Sequence, residues 1–574
     1  MHAMRWTGVI FACALGSMAA ASCGGDDDGG GTTGTGGAGT GGAAGAGGAA
    51  GDASVTGGAG GVDGGGGTAG AGGGGGTAGC PPYHALCGGQ CTYTGNDPKN
   101  CGGCGVACPA GQVCSAGGCS TDCMPGLDAC SGSCVDTQTS NDHCGACGTK
   151  CGAGTGCVNG SCVTATVFQP PQKCGGGSGP PIDVGVGDVK CTGDLGATTF
   201  TWAVCSCKNI KLSSKLLVDG FDSTKGPYKP GELGGGVGAN GWIQASSEGN
   251  VYGQIWSGSI PQGIKAGSKW GVYNDLQCAG PLDASEMTEA KDAYVGGAVT
   301  GKLAVAGTLT TPTATGGGVT YGKLVTAPVT VPPPCECAKK VPVAAIVAAK
   351  KTANDNALIS LDPAILSKPG HPDRIDLPCG QYYLTGFSLT GAATIVAHGH
   401  TAIYIDGDIS AGAFLAMTPE PGGSLDIFVS GTITASSDFK IGSANFPALT
   451  RLYLGGATTF TLTSNVVIGG NVWAGNAKVM WTSDTELFGA VFGDDFEATA
   501  ALNIHYDRAV VTQGDECKKT PPPDAGTDSG ITCGTCKDCG NQACISGSCG
   551  QCSSSAQCCP PLQCFNGACV QLVK

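Results

Sequence analysis

Eight cysteines, Cys80, Cys87, Cys91, Cys101, Cys104, Cys108, Cys114 and Cys119, recur at a constant offset of 43 residues as Cys123, Cys130, Cys134, Cys144, Cys147, Cys151, Cys157 and Cys162. Residues between them repeat too, so that Asn100-Cys101-Gly102-Gly103-Cys104-Gly105 corresponds to His143-Cys144-Gly145-Ala146-Cys147-Gly148. A unit this short, with Gly, Pro or Asn in nearly every gap, cannot bury enough apolar surface to hold itself together. The thiols must then supply the cross-links, and the duplication predicts two small modules, 80–122 and 123–165, each closed by four disulfides. The spacing alone leaves their pairing open. Each bridge contributes about 2–4 kcal/mol on the chain-entropy account. A chain of 574 residues with 37 cysteines belongs in an oxidising compartment, not a reducing cytosol.

The order Cys134-Val135-Asp136-Thr137, then Cys144-Gly145-Ala146-Cys147-Gly148-Thr149-Lys150-Cys151, resembles the stigma-specific cysteine-rich family and its bacterial relatives. The resemblance implies extracellular modules without a catalytic role. A competing reading takes the C-x-x-C pairs Cys101/Cys104 and Cys144/Cys147 as zinc ligands, which requires reduced thiolates. Oxidation during export disfavours it, and the sequence gives no reason to expect a metal or any other cofactor.

Residues 1–22 read as a signal peptide, with Arg5 before an apolar stretch around Val9, Ile10, Phe11 and Leu15 and small residues Ala19-Ala20-Ala21-Ser22 ahead of Cys23. This ending resembles the lipobox of bacterial lipoproteins, with Ala20 where Leu is usual, and implies acylation of Cys23. Ordinary signal cleavage is the alternative. Residues 23–79 are then a Gly, Ala and Thr tether with an r.m.s. reach of about 40 Å. The expected location is the outer membrane, exposed at the cell surface and held by the lipid. The formal charge of -14 lacks any basic block, which argues against nucleic acid as a partner.

From 166 to 516 cysteine becomes sparse and apolar strands appear, among them Tyr382–Leu384, Ile403–Ile405, Ile427–Val429 and Leu452–Leu454. One helix is expected around 341–353. Glycines at 407, 431, 456, 475 and 493 follow the strands at intervals of 24, 25, 19 and 18 residues. That pacing suits the turns of a right-handed β-helix or similar solenoid, with an antiparallel sandwich as the alternative. The fold class is therefore mainly β and multidomain, with small disulfide-rich modules and Gly-rich linkers flanking the centre. The segments Thr401–Ile409, Asp426–Gly431 and Ile504–Arg508 resemble a domain of unknown function of bacterial surface and pilus-associated proteins. The pairs Cys205/Cys207 and Cys335/Cys337 are expected to bridge away to Cys174, Cys191, Cys278, Cys379 or Cys517. These nine cysteines are an odd number, leaving one free or paired outside the domain.

After a linker at 517–531, residues 532–574 carry Cys533, Cys536, Cys539, Cys544, Cys549, Cys552, Cys558, Cys559, Cys564 and Cys569. The set is even, and the spacing of Cys552, Cys558, Cys559, Cys564 and Cys569 is similar to the cysteine-knot pattern of small extracellular binding modules; its disulfides too are left unassigned.

Motifs for chemistry are weak. Gly296–Leu303 and Gly317–Leu324 mimic a phosphate loop, but Leu303 and Leu324 replace the Ser or Thr that magnesium needs. His398-Gly399-His400 would need a third ligand, such as His505 or Asp507, to hold a metal. Asp494, Asp495, Glu497, Asp507 and Arg508 form the one dense charged group, and a glycosidase would need two of its carboxylates paired across a groove. Ordinary turn residues explain the group better, so no catalytic, cofactor or metal site is assigned. The expected function is non-enzymatic, a structural, adhesive or binding role toward surface proteins or extracellular polysaccharide. Polysaccharide binding or degradation on the β-rich domain is the alternative.

Overall fold

The computed structural model describes residues 83–174 and 179–513 apart from 181, 187, 188, 314 and 465, and the strands Ala543–Ile545, Ser548–Gly550, Gln563–Phe565 and Ala568–Val570. The signal segment, Cys23, the tether, Cys80, the linker 517–531 and Cys533, Cys536, Cys539, Cys552, Cys558 and Cys559 lie outside the described residues.

The chain is mainly β. Its strands are short because the apolar pattern is short: Ile210-Lys211-Leu212, Ile264-Lys265-Ala266 and Ile433-Thr434-Ala435 each bury the outer two residues and expose the middle one. Most strands of the body pair in parallel with strands further along the chain. Thus Ile403, Ile427 and Leu452 stack in register, and so do Tyr404, Phe428 and Tyr453, whose rings lie 5.2 and 4.8 Å apart. The glycine pacing has a direct counterpart: the Gly431 amide donates to the Gly407 carbonyl at 3.1 Å, and the Gly456 amide to that of Gly431 at 2.8 Å. The two GxxxxGK-like segments are not phosphate-binding turns between a strand and a helix. Both run into neighbouring strands, with Leu303 opposite Val319 but Leu324 opposite Leu309.

Sequence order and spatial order differ. The ladder starts at Arg374–Leu377 and runs through to Leu502–Asp507, then continues into residues nearly three hundred positions earlier. Val491–Ala498 pairs with Val204–Ser206 and Ile210–Leu212, and Leu502–Asp507 with Leu216–Phe221. From there the strands proceed to Val319–Thr326. The return segment, 327–373, carries the expected helix at Val343–Lys350, which buries Val343, Ile346 and Val347. Two disulfides fasten the segment to the junction, Cys205–Cys335 and Cys207–Cys337. The two C-x-C pairs thus bridge each other and not the remaining cysteines, because Val204–Ser206 and the return segment lie side by side. Cys174 joins Cys379, and among the described residues Cys278 is free and buried.

In the second module Cys123–Cys134, Cys130–Cys147, Cys144–Cys157 and Cys151–Cys162 are bonded, and the first repeats the last three as Cys87–Cys104, Cys101–Cys114 and Cys108–Cys119. The modules touch through Val113–Ser115 and Ser133–Val135, and Ser161–Val167 adds a parallel strand to Arg374–Leu377.

Candidate functional site

The most site-like feature is a groove of about 440 Å³ between the second module and strands of the body. Val396, Val467 and Phe446 contribute apolar surface, and charged groups stand at its junction with the module. The strand Arg374-Ile375-Asp376-Leu377 alternates, which sets Arg374 and Asp376 on one face. Both are buried, and the guanidinium grips the carboxylate with two bonds of 3.0 Å. The remaining guanidinium nitrogen donates to the Thr139 and Cys157 carbonyls of the module at 2.9 and 2.8 Å. Lys440 reaches Asp136 at 2.6 Å with both side chains mostly covered.

His398 stands at the rim, 3.1 Å from Asp376 through Nε2 and 2.5 Å from Glu420 through Nδ1. Burial disfavours its charge, but the hydrogen bonds to Asp376 and Glu420 outweigh burial and lift its pKa to about 9. At neutral pH it is an imidazolium with both nitrogens donating, which leaves no lone pair for a metal or for proton abstraction.

The other residues singled out from sequence do not converge here. Gly399 takes a positive φ, so His398 precedes the strand and His400 turns to Ser424 at 2.8 Å. His505 is buried between Asp219 and Glu486, 2.7 Å from each, with the Tyr228 hydroxyl donating to Asp219. Burial opposes its charge, yet the bonds to Asp219 and Glu486 raise its pKa. Asp507 accepts from the Ser223 amide and hydroxyl and the Ala509 and Ala448 amides, while burial pushes its carboxyl up to about 6. Asp494 pairs with Lys208 at 2.6 Å, Glu497 lies between Lys211 and Lys478, Asp495 accepts from the Asn209 amide, and Arg508 meets Glu232. These carboxylates tie neighbouring strands together and do not face each other across a groove.

Sulfurs of Cys101, Cys108 and Cys119, and of Cys144, Cys151 and Cys162, lie within 4.8 Å of one another. Every one is in a disulfide, so none offers a thiolate. Among the described residues no helix is long and apolar enough to cross a membrane.

Sequence reasoning missed Arg374, Asp376, Glu420 and Lys440. Opposite charges two residues apart inside an apolar strand were the available signal for the first two. Glu420 and Lys440 had none, since their partners are distant in sequence.

Residues 340–512 match a family described as Domain of unknown function (DUF7305), and residues 115–165 match the Stigma-specific STIG1-like protein family. The first match spans most of the return segment and the strands that follow it, and the second the end of the first module and all of the second. No curated protein and no solved structure matches the chain.

Proposed function

We propose that this chain is a bacterial lipoprotein, anchored through Cys23 to the outer membrane and exposed at the cell surface, with a structural, adhesive or binding role and no catalysis of its own. The body is a β-helix, and the modules are stiff extensions of it. The reading rests on one observation: the Arg374 guanidinium ties the Asp376 carboxylate to two carbonyls of the second module inside a buried contact. Modules locked to the body in this way present loops in a fixed arrangement, which suits recognition spread over a surface.

Polysaccharide binding is the second reading, favoured by Tyr252 and Tyr273, whose rings stack at 4.2 Å with Tyr273 about half exposed. Aromatic faces of this kind suit the apolar faces of sugar rings. Binding is preferred to degradation because Asp494 and Glu497, of the dense acidic group, are held by lysines.

The anchor is tested by expressing the chain with Cys23→Ser. Release from the membrane fraction into the medium is expected, and unchanged retention sinks the lipid anchor. Glycan-array and whole-cell binding by the soluble chain then separate the roles: no binding to either removes adhesion and polysaccharide recognition and leaves the structural role.

A further inference from the structure

Val218, Val251, Val272, Ala290 and Val305 stand in register on neighbouring strands, all of them buried. The residues that follow them are Asp219, Tyr252, Tyr273, Lys291 and Ala306. Alternation turns this second row outward. Its first member is nevertheless covered, because the loop between Phe221 and Val237 folds over it, and the Tyr228 hydroxyl and Gly231 amide donate to the Asp219 carboxylate at 2.7 and 2.9 Å. The loop stops against Tyr252, where a Cβ on Gly231 would lie 3.3 Å from the ring. Tyr252 in turn covers one face of Tyr273, with the ring centroids 4.2 Å apart and the planes 2° from parallel. There the stack ends. The row continues with Lys291 and Ala306, both exposed, so among the described residues no ring lies on the far face of Tyr273.

The polar groups beside that face say what would fit it. Asp275 follows Tyr273 by two residues and pairs in register with Asp292. The Asp292 carboxylate accepts from the Thr308 amide at 2.6 Å. Among the described residues nothing donates to Asp275, and partial burial together with the Asp292 charge raises its pKa, opposed by the nearby Lys291. A carboxylate short of donors and an exposed ammonium thus stand next to an open aromatic face. That combination suits a flat ligand with C–H groups on one side and hydroxyls at its edge, the hydroxyls donating to Asp275 and accepting from Lys291. A pyranose with equatorial hydroxyls, as in glucose, has this shape. Two neighbouring carboxylates disfavour an acidic sugar. Equatorial β-linkages keep such a chain flat, and Ala306 and Gly322, both exposed, leave room for it to run past Tyr273.

We propose that Tyr273, Asp275 and Lys291 form a subsite for a neutral glucose-type ring of a β-linked glycan, stacked on the uncovered face of Tyr273. The subsite rests on the polysaccharide reading above. Its test is isothermal titration calorimetry of the full mature chain carrying Cys23→Ser with cellohexaose, a soluble β-linked glucose oligomer. Saturable binding is expected, weakened about tenfold by Tyr273→Ala, which removes the ring, and kept within about twofold by Tyr273→Phe, which retains the face. Asp275→Ala should weaken it as well, and circular dichroism checks that each variant folds. Cellohexaose binding that Tyr273→Ala leaves unchanged, or that Tyr273→Phe loses as fully as Tyr273→Ala, overturns the subsite while the polysaccharide reading stands. Binding confined to other glycans on an array has the same meaning. Absence of binding to cellohexaose and to every glycan of the array overturns both.

Discussion

His398 holds a carboxylate on each ring nitrogen, Asp376 on one side and Glu420 on the other. Its pKa of about 9 in the folded chain lies above its ordinary value of 6.5. The folded state therefore binds this proton more tightly than the unfolded one, and the stabilisation is full below pH 6.5 and is lost as pH rises through 9. Chemical denaturation at pH 6 and pH 10 should show a fall in stability that His398→Gln flattens. With 37% of the side chain exposed the contribution is modest, and an unchanged slope in the variant would rule it out. The sequence marked His398 as a possible ligand on the strength of His400 two residues on, and the intervening Gly399 is what defeats that reading. A positive φ there ends the alternation on which a shared face depends.

The return segment shows which parts of an element sequence can specify. Its helix was legible, since Val343, Ile346 and Val347 fall on one side of an alanine-rich stretch. The glycine pacing was legible in part: Gly407, Gly431 and Gly456 stack, with the Gly431 and Gly456 amides donating to the carbonyls of Gly407 and Gly431, whereas Gly475 and Gly493 lie inside the strands Asn471–Trp481 and Val491–Ala498. A Cβ on Gly431 would come 2.1 Å from the Asp408 carboxylate, so this glycine is set by contact with the neighbouring Gly407–Asp408 segment. The pairing of the C-x-C motifs was not legible, because it depends on where the segment returns. Cys205–Cys335 and Cys207–Cys337 close nearly the same loop, each with a sequence separation of 130. In the chain-entropy account the first bridge across such a loop contributes about 5 kcal/mol and the second adds little. Cys335→Ser and Cys337→Ser should each cost far less alone than together. Equal and additive losses in denaturant midpoints would show that the bridges stabilise by local packing instead.

At the scale of the molecule the chain closes its ladder with strands from its own earlier half. Leu502–Asp507 finds its next partner in Leu216–Phe221, and the buried His505 takes one of its two carboxylates, Asp219, from that same strand. No periodicity in sequence reveals this, because each half shows the same strand pattern whichever is stacked first. The consequence is mutual dependence. Residues 340–513 made alone would present Val491–Ala498 and Leu502–Asp507 with unpaired edges, leave His505 without Asp219, and leave Arg374 without the Thr139 and Cys157 carbonyls. Open strand edges and buried charges stripped of partners favour association over a stable monomer. Light scattering should therefore find that fragment aggregated, and co-production with residues 80–339 should restore a soluble complex with a cooperative melt. A monomeric 340–513 that melts cooperatively by itself would mean that these residues form an independent domain and that the junction is a docking of two finished parts.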